Sequence, residues 1–197
     1  MANSDRGVVD RVTVDLVTQM FPGARRANVE TYLPAVLEGL VEAGLADRPM
    51  VLMALATIRA ETAGFAPLSE FQSKWNTSPG GHPFDLYDDR TVLGNRGAPD
   101  GERFRGRGFI QLTGRANYES IGAKLGLGEQ LVEDPELAND AKVAARILAA
   151  FLAGKQEKIR QALAAGDFKT ARKAVNGGSH GLDAFQECYQ TGDRLLA

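Results

Sequence analysis

The sequence contains very few residues of the kinds that bind metals or form disulfide bonds. Among its 197 residues there are one cysteine and two histidines. A single cysteine, Cys188, cannot form an intramolecular disulfide, which excludes a disulfide-stapled secreted scaffold. Cys188, His82 and His180 lack the spacing of a metal-ligand set, and no phosphate-binding loop pattern occurs. We therefore expect no metal and no cofactor.

Strong net charge and long apolar runs are also missing. The 23 lysine and arginine residues nearly balance the 25 aspartate and glutamate residues, which argues against broad electrostatic binding to nucleic acid or to an anionic membrane. No run approaches the ~18 apolar residues of a transmembrane helix. Residues 1–7 lack the basic stretch and apolar core of a secretory signal. We therefore expect a flexible N-terminus over 1–7 and synthesis in the cytoplasm.

Apolar residues recur at helical spacing before residue 63 and again after residue 113. The spacing predicts one helix over 8–20, a second from Asn28 as N-cap to Gly44, and a third from Asp47 as N-cap to about Thr62. The third is apolar on nearly all sides, which predicts a central, buried helix. In the second half the predicted helices cover 115–125, 136–153, 156–164, 167–175 with Asp167 as N-cap, and 182–196.

Between these helical parts lies a stretch rich in glycine, proline and aromatic residues. Glycine and proline throughout 64–101 break regular helices, yet the same stretch holds Phe65, Phe71, Trp75, Phe84 and Tyr87. Because a linker would hold fewer aromatic residues, we expect an ordered, loop-rich lobe with a short hairpin. Helical parts around such a lobe would leave a cleft for a ligand. A single core without an obvious apolar patch predicts a monomer.

Two glutamates near the start of this lobe are candidate catalytic residues. Glu61 lies at the end of the apolar helix, and Glu70 follows it in a segment where Gly64 and Pro67 break the helix. A chain that folds back can place two carboxylates across a gap, and inverting glycosidases hold theirs ~6.5–9.5 Å apart. Each glutamate taken alone is better explained as a solvated surface carboxylate. Should Glu70 not be the base, acids of the following loop remain, namely Asp85, Asp88 and Asp89.

A third segment of interest runs from Gly101 to Tyr118. Its alternating arginine and glycine residues resemble an RNA-binding arm, but the balanced charge and the lack of further repeats argue against that interpretation. Gln111, Thr113 and Asn117 offer neutral donors and acceptors that suit sugar hydroxyls or a water molecule. Thr113 could also cap the following helix. The Asn176-Gly177-Gly178 sequence indicates first of all a turn after a helix.

Two of these segments together resemble the family 19 glycoside hydrolases, which include chitinases and phage endolysins. Glu61-Thr62-Ala63-Gly64-Phe65 resembles the catalytic segment of the family, and 101–118 resembles its Gly-Arg-Gly-x-Ile-Gln signature. The resemblance implies a predominantly α-helical α+β fold, lysozyme-like and two-lobed, in one catalytic domain over 8–197. It implies Glu61 as general acid, Glu70 as general base and Thr113 as the residue that positions water. Residues implied to bind substrate are Gln111, Asn117, Tyr118, Asn176, Tyr87 and Arg107.

The sequence also departs from the family pattern. Ala60 stands where the family usually has histidine, and Ala63 where it often has glycine. The arginine that plant-type members carry after the Asn-Gly-Gly turn has no match near Leu182.

Three functions follow from the resemblance. The first is an endolysin-type glycosidase that hydrolyses β-1,4 bonds of the peptidoglycan glycan strand. Such an enzyme would be made in a bacterial cytoplasm and released through a holin-like lesion or a secretion machine. The second is a chitinase acting on poly-N-acetylglucosamine, and the third is a non-catalytic wall-binding module.

Overall fold

The computed structural model describes residues 6–178 and 181–197, apart from the side chains of Arg6 and Asn176. Its secondary structure is almost entirely helical. The first four helices are α1 (Arg6–Val9), α2 (Val14–Met20), α3 (Arg26–Glu42) and α4 (Arg48–Thr62). The next four are α5 (Asp85–Asp88), α6 (Asp100–Arg103), α7 (Arg115–Lys124) and α8 (Gln130–Glu133). The last four are α9 (Ala141–Ala153), α10 (Gln156–Ala164), α11 (Phe168–Asn176) and α12 (Leu182–Leu195).

The chain divides into two compact units. The first comprises the residues up to 66 together with 148–197, and the second comprises 67–147. The predicted predominance of helix is confirmed. No helix in the described part of the chain is both long and apolar enough to cross a membrane.

The first unit is built around α4. Every residue from Met50 to Ile58 is buried, as the apolar composition of this segment predicted. Asp47 caps the helix by accepting a hydrogen bond from the backbone N–H of Met50. Helix α12 packs against both α4 and α2. At this contact Gly192 lies so close that a Cβ atom would stand 2.5 Å from a methyl carbon of Leu52, so a larger residue would require the buried Leu52 and Met20 side chains to move.

Two helix starts in the first unit differ from the prediction. The segment predicted as one helix over 8–20 is two helices, because Thr13 caps α2 through its hydroxyl. Asn28 does not cap α3, which begins at Arg26. The Asn28 amide instead donates a hydrogen bond of 2.8 Å to the carbonyl of Gly64. A residue type suited to capping can equally serve a distant backbone group, and local sequence does not distinguish the two.

The second unit consists of loops and short helices. Besides α5 to α8 it contains 3-10 helices at Thr91–Leu93 and Pro135–Asn139. Because the latter takes up the start of the helix predicted over 136–153, α9 begins at Ala141. The structure has no strand or bridge over 64–101, so the hairpin expected there is absent. One isolated antiparallel bridge joins Arg107 and Leu112 in the following segment.

A cluster around Phe104 anchors the signature segment in this unit. The Phe104 ring contacts that of Tyr118 edge-on at 5.4 Å between centroids. The guanidinium of Arg115 lies 4.5 Å from the Phe104 centroid and donates to both carboxylate oxygens of Asp100. These hydrogen bonds hold the pKa of the buried Asp100 carboxyl below its usual range. The cluster therefore fixes both ends of 101–118.

Candidate active site

Glu61 forms an ion pair with an arginine far away in the sequence. Its Oε1 atom accepts a hydrogen bond of 2.6 Å from Nη2 of Arg172 on α11. The Arg172 side chain is 0% exposed and that of Glu61 is 18% exposed. A buried cation thus fixes the direction of a carboxylate that still reaches solvent.

The turn after Glu61 has an unusual backbone. Ala63 and Phe65 adopt φ angles of +47° and +54°, in the left-handed region that favours glycine. The buried Phe65 ring packs edge-on against Phe21 with 4.8 Å between centroids. This packing offsets part of the cost of the strained turn and fixes where α4 ends.

Glu70 is held by three hydrogen-bond donors in the second unit. Its Oε1 atom accepts from the side-chain amide of Asn76 at 3.0 Å and from the hydroxyl of Tyr87 at 2.9 Å. Its Oε2 atom accepts from the backbone N–H of Gly106 at 3.2 Å. The Glu70 N–H in turn donates to the Gly106 carbonyl at 2.7 Å. The carboxylate is thus fixed in direction by groups from three separate segments.

Three side-chain oxygens converge around Gly106. A Cβ atom at this glycine would lie 2.8 Å from Oε1 of Gln111, 3.2 Å from Oγ1 of Thr113 and 3.3 Å from Oε2 of Glu70. The backbone of Gly106 therefore borders a small polar space that any larger residue would enter. The structure brings together here three of the residues predicted for catalysis and binding.

Burial and the adjacent Glu70 carboxylate both change the pKa of Tyr87. Burial, together with the charge and hydrogen bond of the Glu70 carboxylate, raises the pKa of Tyr87 to about 12. Tyr87 therefore stays protonated at neutral pH and remains a donor to Glu70. Its predicted role in binding substrate becomes, in the structure, a role in holding this carboxylate.

The signature residues mainly hold one another in place. Gln111 adopts a φ of +53° and donates its side-chain N–H to the carbonyl of Leu68 at 2.9 Å. The Thr113 hydroxyl donates to the Gln111 carbonyl at 2.8 Å. The exposed Asn117 donates to the Thr113 carbonyl at 2.6 Å. Thr113 does not cap α7, because Gly114 occupies the cap position. The side chain of Asn176 lies outside the described part of the structure.

Two of the residues predicted to bind substrate are buried. Arg107 donates to a Glu136 carboxylate oxygen at 2.6 Å and to the Tyr118 hydroxyl at 3.1 Å. The Tyr118 hydroxyl donates to the Arg105 carbonyl at 2.9 Å. Because both side chains are enclosed and their polar groups are used within the protein, we revise the prediction for Arg107 and Tyr118. Both side chains support the signature segment from the interior of the protein.

The alternative bases in the loop have other partners or positions. Asp85 accepts hydrogen bonds from Ser78, which hold the pKa of its carboxyl below the usual range. Asp88 is buried and pairs with His82 at 2.9 Å. Asp89 is exposed at the end of α5. Of the acids considered, Glu70 alone adjoins Gln111 and Thr113.

Comparison with solved structures gives matches along nearly the whole chain. Chitinase C from Streptomyces griseus HUT6037 aligns with a TM-score of 0.64 and 21% identity, over 96% of this chain and 77% of that one. A bacterial family 19 chitinase aligns with a TM-score of 0.68 and 22% identity, over 95% of both chains. The chain has the fold of the family 19 chitinases.

Sequence comparison gives shorter matches. A segment of 36 residues is 50% identical to an acidic 26 kDa endochitinase of Solanum lycopersicum and to the acidic endochitinase pcht28 of Solanum chilense. The segment is 18% of this chain and spans only 14% of the length of each plant protein. No protein-family model matches the chain.

Within this chitinase fold, the structure accounts for the departures noted in the sequence. With no arginine near Leu182, the arginine that pairs with Glu61 is Arg172, which reaches it from α11. Ala60 lies against the turn that begins α12, where a Cβ on Gly181 would stand 3.2 Å from the Ala60 Cβ atom. Ala63, in place of glycine, takes up the positive φ of the turn.

Sequence reasoning missed two residues that hold the carboxylates, Arg172 and Asn76. Arg172 lies on the apolar side of α11, and a lone arginine there is a usable signal because such a charge needs a partner. Asn76 is buried in a loop, and no local pattern marks it. The described residues contain no group of three or more His, Cys, Asp or Glu side chains placed to hold a metal.

Proposed function

We propose that this protein is a glycoside hydrolase that cleaves β-1,4 bonds between N-acetylated amino sugars of bacterial peptidoglycan. The observation that carries the proposal is the arrangement at Glu70. Its carboxylate is fixed by Asn76, Tyr87 and Gly106, and it shares one polar space with Gln111 and Thr113. A fixed carboxylate beside a hydroxyl is suited to bind and deprotonate a water molecule.

The reaction is general acid and base catalysis with inversion. Glu70 takes a proton from water as the water oxygen bonds to the anomeric carbon. The bond between that carbon and the glycosidic oxygen breaks, and Glu61 gives its proton to the leaving oxygen. Thr113 holds the water against Glu70, and Arg172 holds the carboxyl group of Glu61 in one direction.

The preference for peptidoglycan rests on features shared with the endolysin-like members of the family. Those members carry a second carboxylate soon after the first, as Glu70 follows Glu61. They also carry a segment similar to the one that begins at Tyr87. In this chain the Tyr87 hydroxyl binds Glu70 directly, so the two features form one arrangement. Cytoplasmic synthesis and release through a membrane lesion or a secretion machine belong to the same proposal.

Chitin is the second candidate substrate. The solved structures described above are named as chitinases, and the plant proteins that share the short segment are named as endochitinases. Both polymers present β-1,4-linked N-acetylated amino sugars, so one set of residues serves for either. The two substrates differ in their branches, because an enzyme that cleaves peptidoglycan must also accommodate its lactyl-peptide groups.

Mass spectrometry of soluble products decides between the candidates. Purified peptidoglycan and chitin oligomers are incubated in parallel with the wild type, with Glu61→Gln, and with Glu157→Gln as an exposed control. Disaccharide-peptides released by the wild type and the control, but not by Glu61→Gln, would support the proposal. Turnover of chitin oligomers alone would select the chitinase. Binding to peptidoglycan without any release would leave a wall-binding module and refute the catalytic assignment.

A further inference from the structure

The loop after Glu70 carries two exposed aromatic side chains. Phe71 is 79% exposed and Trp75 is 75% exposed. Burying such a ring would stabilise the fold by roughly 1.5–3 kcal/mol, so folding alone gives no reason to leave two of them in water. Single exposed apolar residues are common, but two rings within five residues mark a contact surface.

Hydrogen bonds give this loop a defined conformation. Asn76 accepts from the backbone N–H of Ser73 at 2.8 Å and donates to the Phe71 carbonyl at 2.9 Å. The backbone N–H of Trp75 donates to the Ser73 hydroxyl at 3.2 Å. Because these hydrogen bonds already fix the backbone that carries the two rings, ligand binding costs little conformational entropy of the loop.

The two aromatic residues are adjacent in sequence to the proposed base and to the residue that binds it. Phe71 directly follows Glu70 in the chain, and Trp75 directly precedes Asn76, whose amide binds the Glu70 carboxylate at 3.0 Å. The side chain of one residue, Asn76, therefore ties the aromatic loop to the carboxylate. A polymer bound with its cleaved bond at Glu70 must continue over the neighbouring surface.

We propose that Phe71 and Trp75 form a sugar-binding platform, on which a pyranose ring of the polymer stacks beside Glu70. The inference rests on the proposed function. The C–H face of a pyranose is apolar and flat enough to cover an aromatic ring, while its edge carries hydroxyl and amide groups. Gln72, Ser73 and Lys74 lie between the two rings in sequence and supply donors for those groups, with Nζ of Lys74 4.9 Å from the Trp75 centroid.

Trp75 is the single tryptophan of the chain, so intrinsic fluorescence reports on the platform without any turnover. The Glu61→Gln variant is titrated with N-acetylglucosamine oligomers and with soluble glycan strands from peptidoglycan, maltose oligomers serve as the control, and turnover of the same ligands is measured with the wild type. We expect a saturable blue shift and weaker acrylamide quenching with the amino sugars only. An unchanged spectrum at concentrations that are turned over would overturn the platform and leave the proposed function standing. A shift without turnover would support the platform and count against the hydrolase.

Other binding partners of Phe71 and Trp75 would give different results in the same fluorescence titration. A shift on adding anionic lipid vesicles, or on raising the protein concentration, without a response to sugars would identify a membrane or a second copy and overturn the proposal. In a kinetic test on the polymer, Phe71→Ala and Trp75→Ala should raise KM about tenfold and leave kcat unchanged. Trp75→Phe should restore most of the affinity. Val92→Ala, which truncates a side chain 89% exposed in the same unit, should change neither constant.

Discussion

The ion pair between Glu61 and Arg172 can be tested by replacing Arg172 with methionine. Methionine keeps the unbranched stem of the buried side chain and removes its charge. Removing one partner of a buried ion pair costs about 3–5 kcal/mol, because the other charge loses its compensation. The Glu61 side chain is 18% exposed, so water can solvate part of its charge. We therefore expect a cost at the lower end of that range, about 3 kcal/mol. For a protein of this size about 3 kcal/mol lowers Tm by roughly 6–12 °C.

Thermal and urea unfolding, followed by circular dichroism, measure this cost, and turnover of glycan is assayed on the same samples. The double variant Arg172→Met/Glu61→Gln should recover much of the lost stability, because neither charge remains. Arg160→Met is a matched control, since Arg160 also lies 2.6 Å from a carboxylate oxygen, that of Asp47, but is 37% exposed. An exposed pair contributes about 0–1 kcal/mol.

The two pairs differ in burial, and Arg160 binds Asp47 through two hydrogen bonds, one to each carboxylate oxygen, so an effect of burial must outweigh that of this bidentate contact. The reasoning would be refuted if Arg172→Met cost no more than Arg160→Met. It would also fail if the costs of Arg172→Met and Glu61→Gln added in the double variant, since coupled partners deviate from additivity by about 0.5–3 kcal/mol.

Three further predictions concern the turn, the polar space and Tyr87. Ala63→Gly should raise the free energy of unfolding by up to about 1 kcal/mol, because Ala63 has a φ of +47°; lower stability in urea would contradict this. Gly106→Ala should reduce turnover roughly 10–100-fold, because its Cβ would lie 2.8 Å from a glutamine oxygen. The control Gly154→Ala, whose Cβ would meet nothing nearer than 3.6 Å, should be fully active. Tyr87 has a pKa of about 12 in the folded protein and about 10 when unfolded, so its contribution to stability is present below pH 10 and lost as the pH rises towards 12. Tyr87→Phe should therefore flatten the fall in unfolding free energy over that interval, and an unchanged slope would argue against the shift.

Patterns within a few residues were sufficient to predict much of the helical structure. Asp47 and Asp167 cap helices, as their positions before apolar periodic segments indicated. The apolar helix α4 is buried from Met50 to Ile58, and α10 has the predicted bounds. Capping and amphipathic spacing act between neighbours three or four residues apart, so the sequence alone carries this information.

The catalytic candidates were also identified from sequence, but the groups that hold them were not. Glu61 and Glu70 came from short motifs, whereas Arg172 lies 111 residues from Glu61 in the chain. Asn76 was not singled out, although it holds both Glu70 and the loop beyond it. Pairings of this kind arise only when helices pack and loops close, so no local pattern specifies them.

Burial was the other property that the tertiary structure decided. Arg107 and Tyr118 belong to the signature segment, yet their polar groups bind one another and the backbone beneath it. Phe71 and Trp75 are of residue types that usually lie in the core, yet both are exposed to solvent. Sequence determined which residues are polar or apolar and where helices begin, because those properties are local. Which face of a loop turns inward depends on every segment packed against it, and the tertiary structure alone determines that.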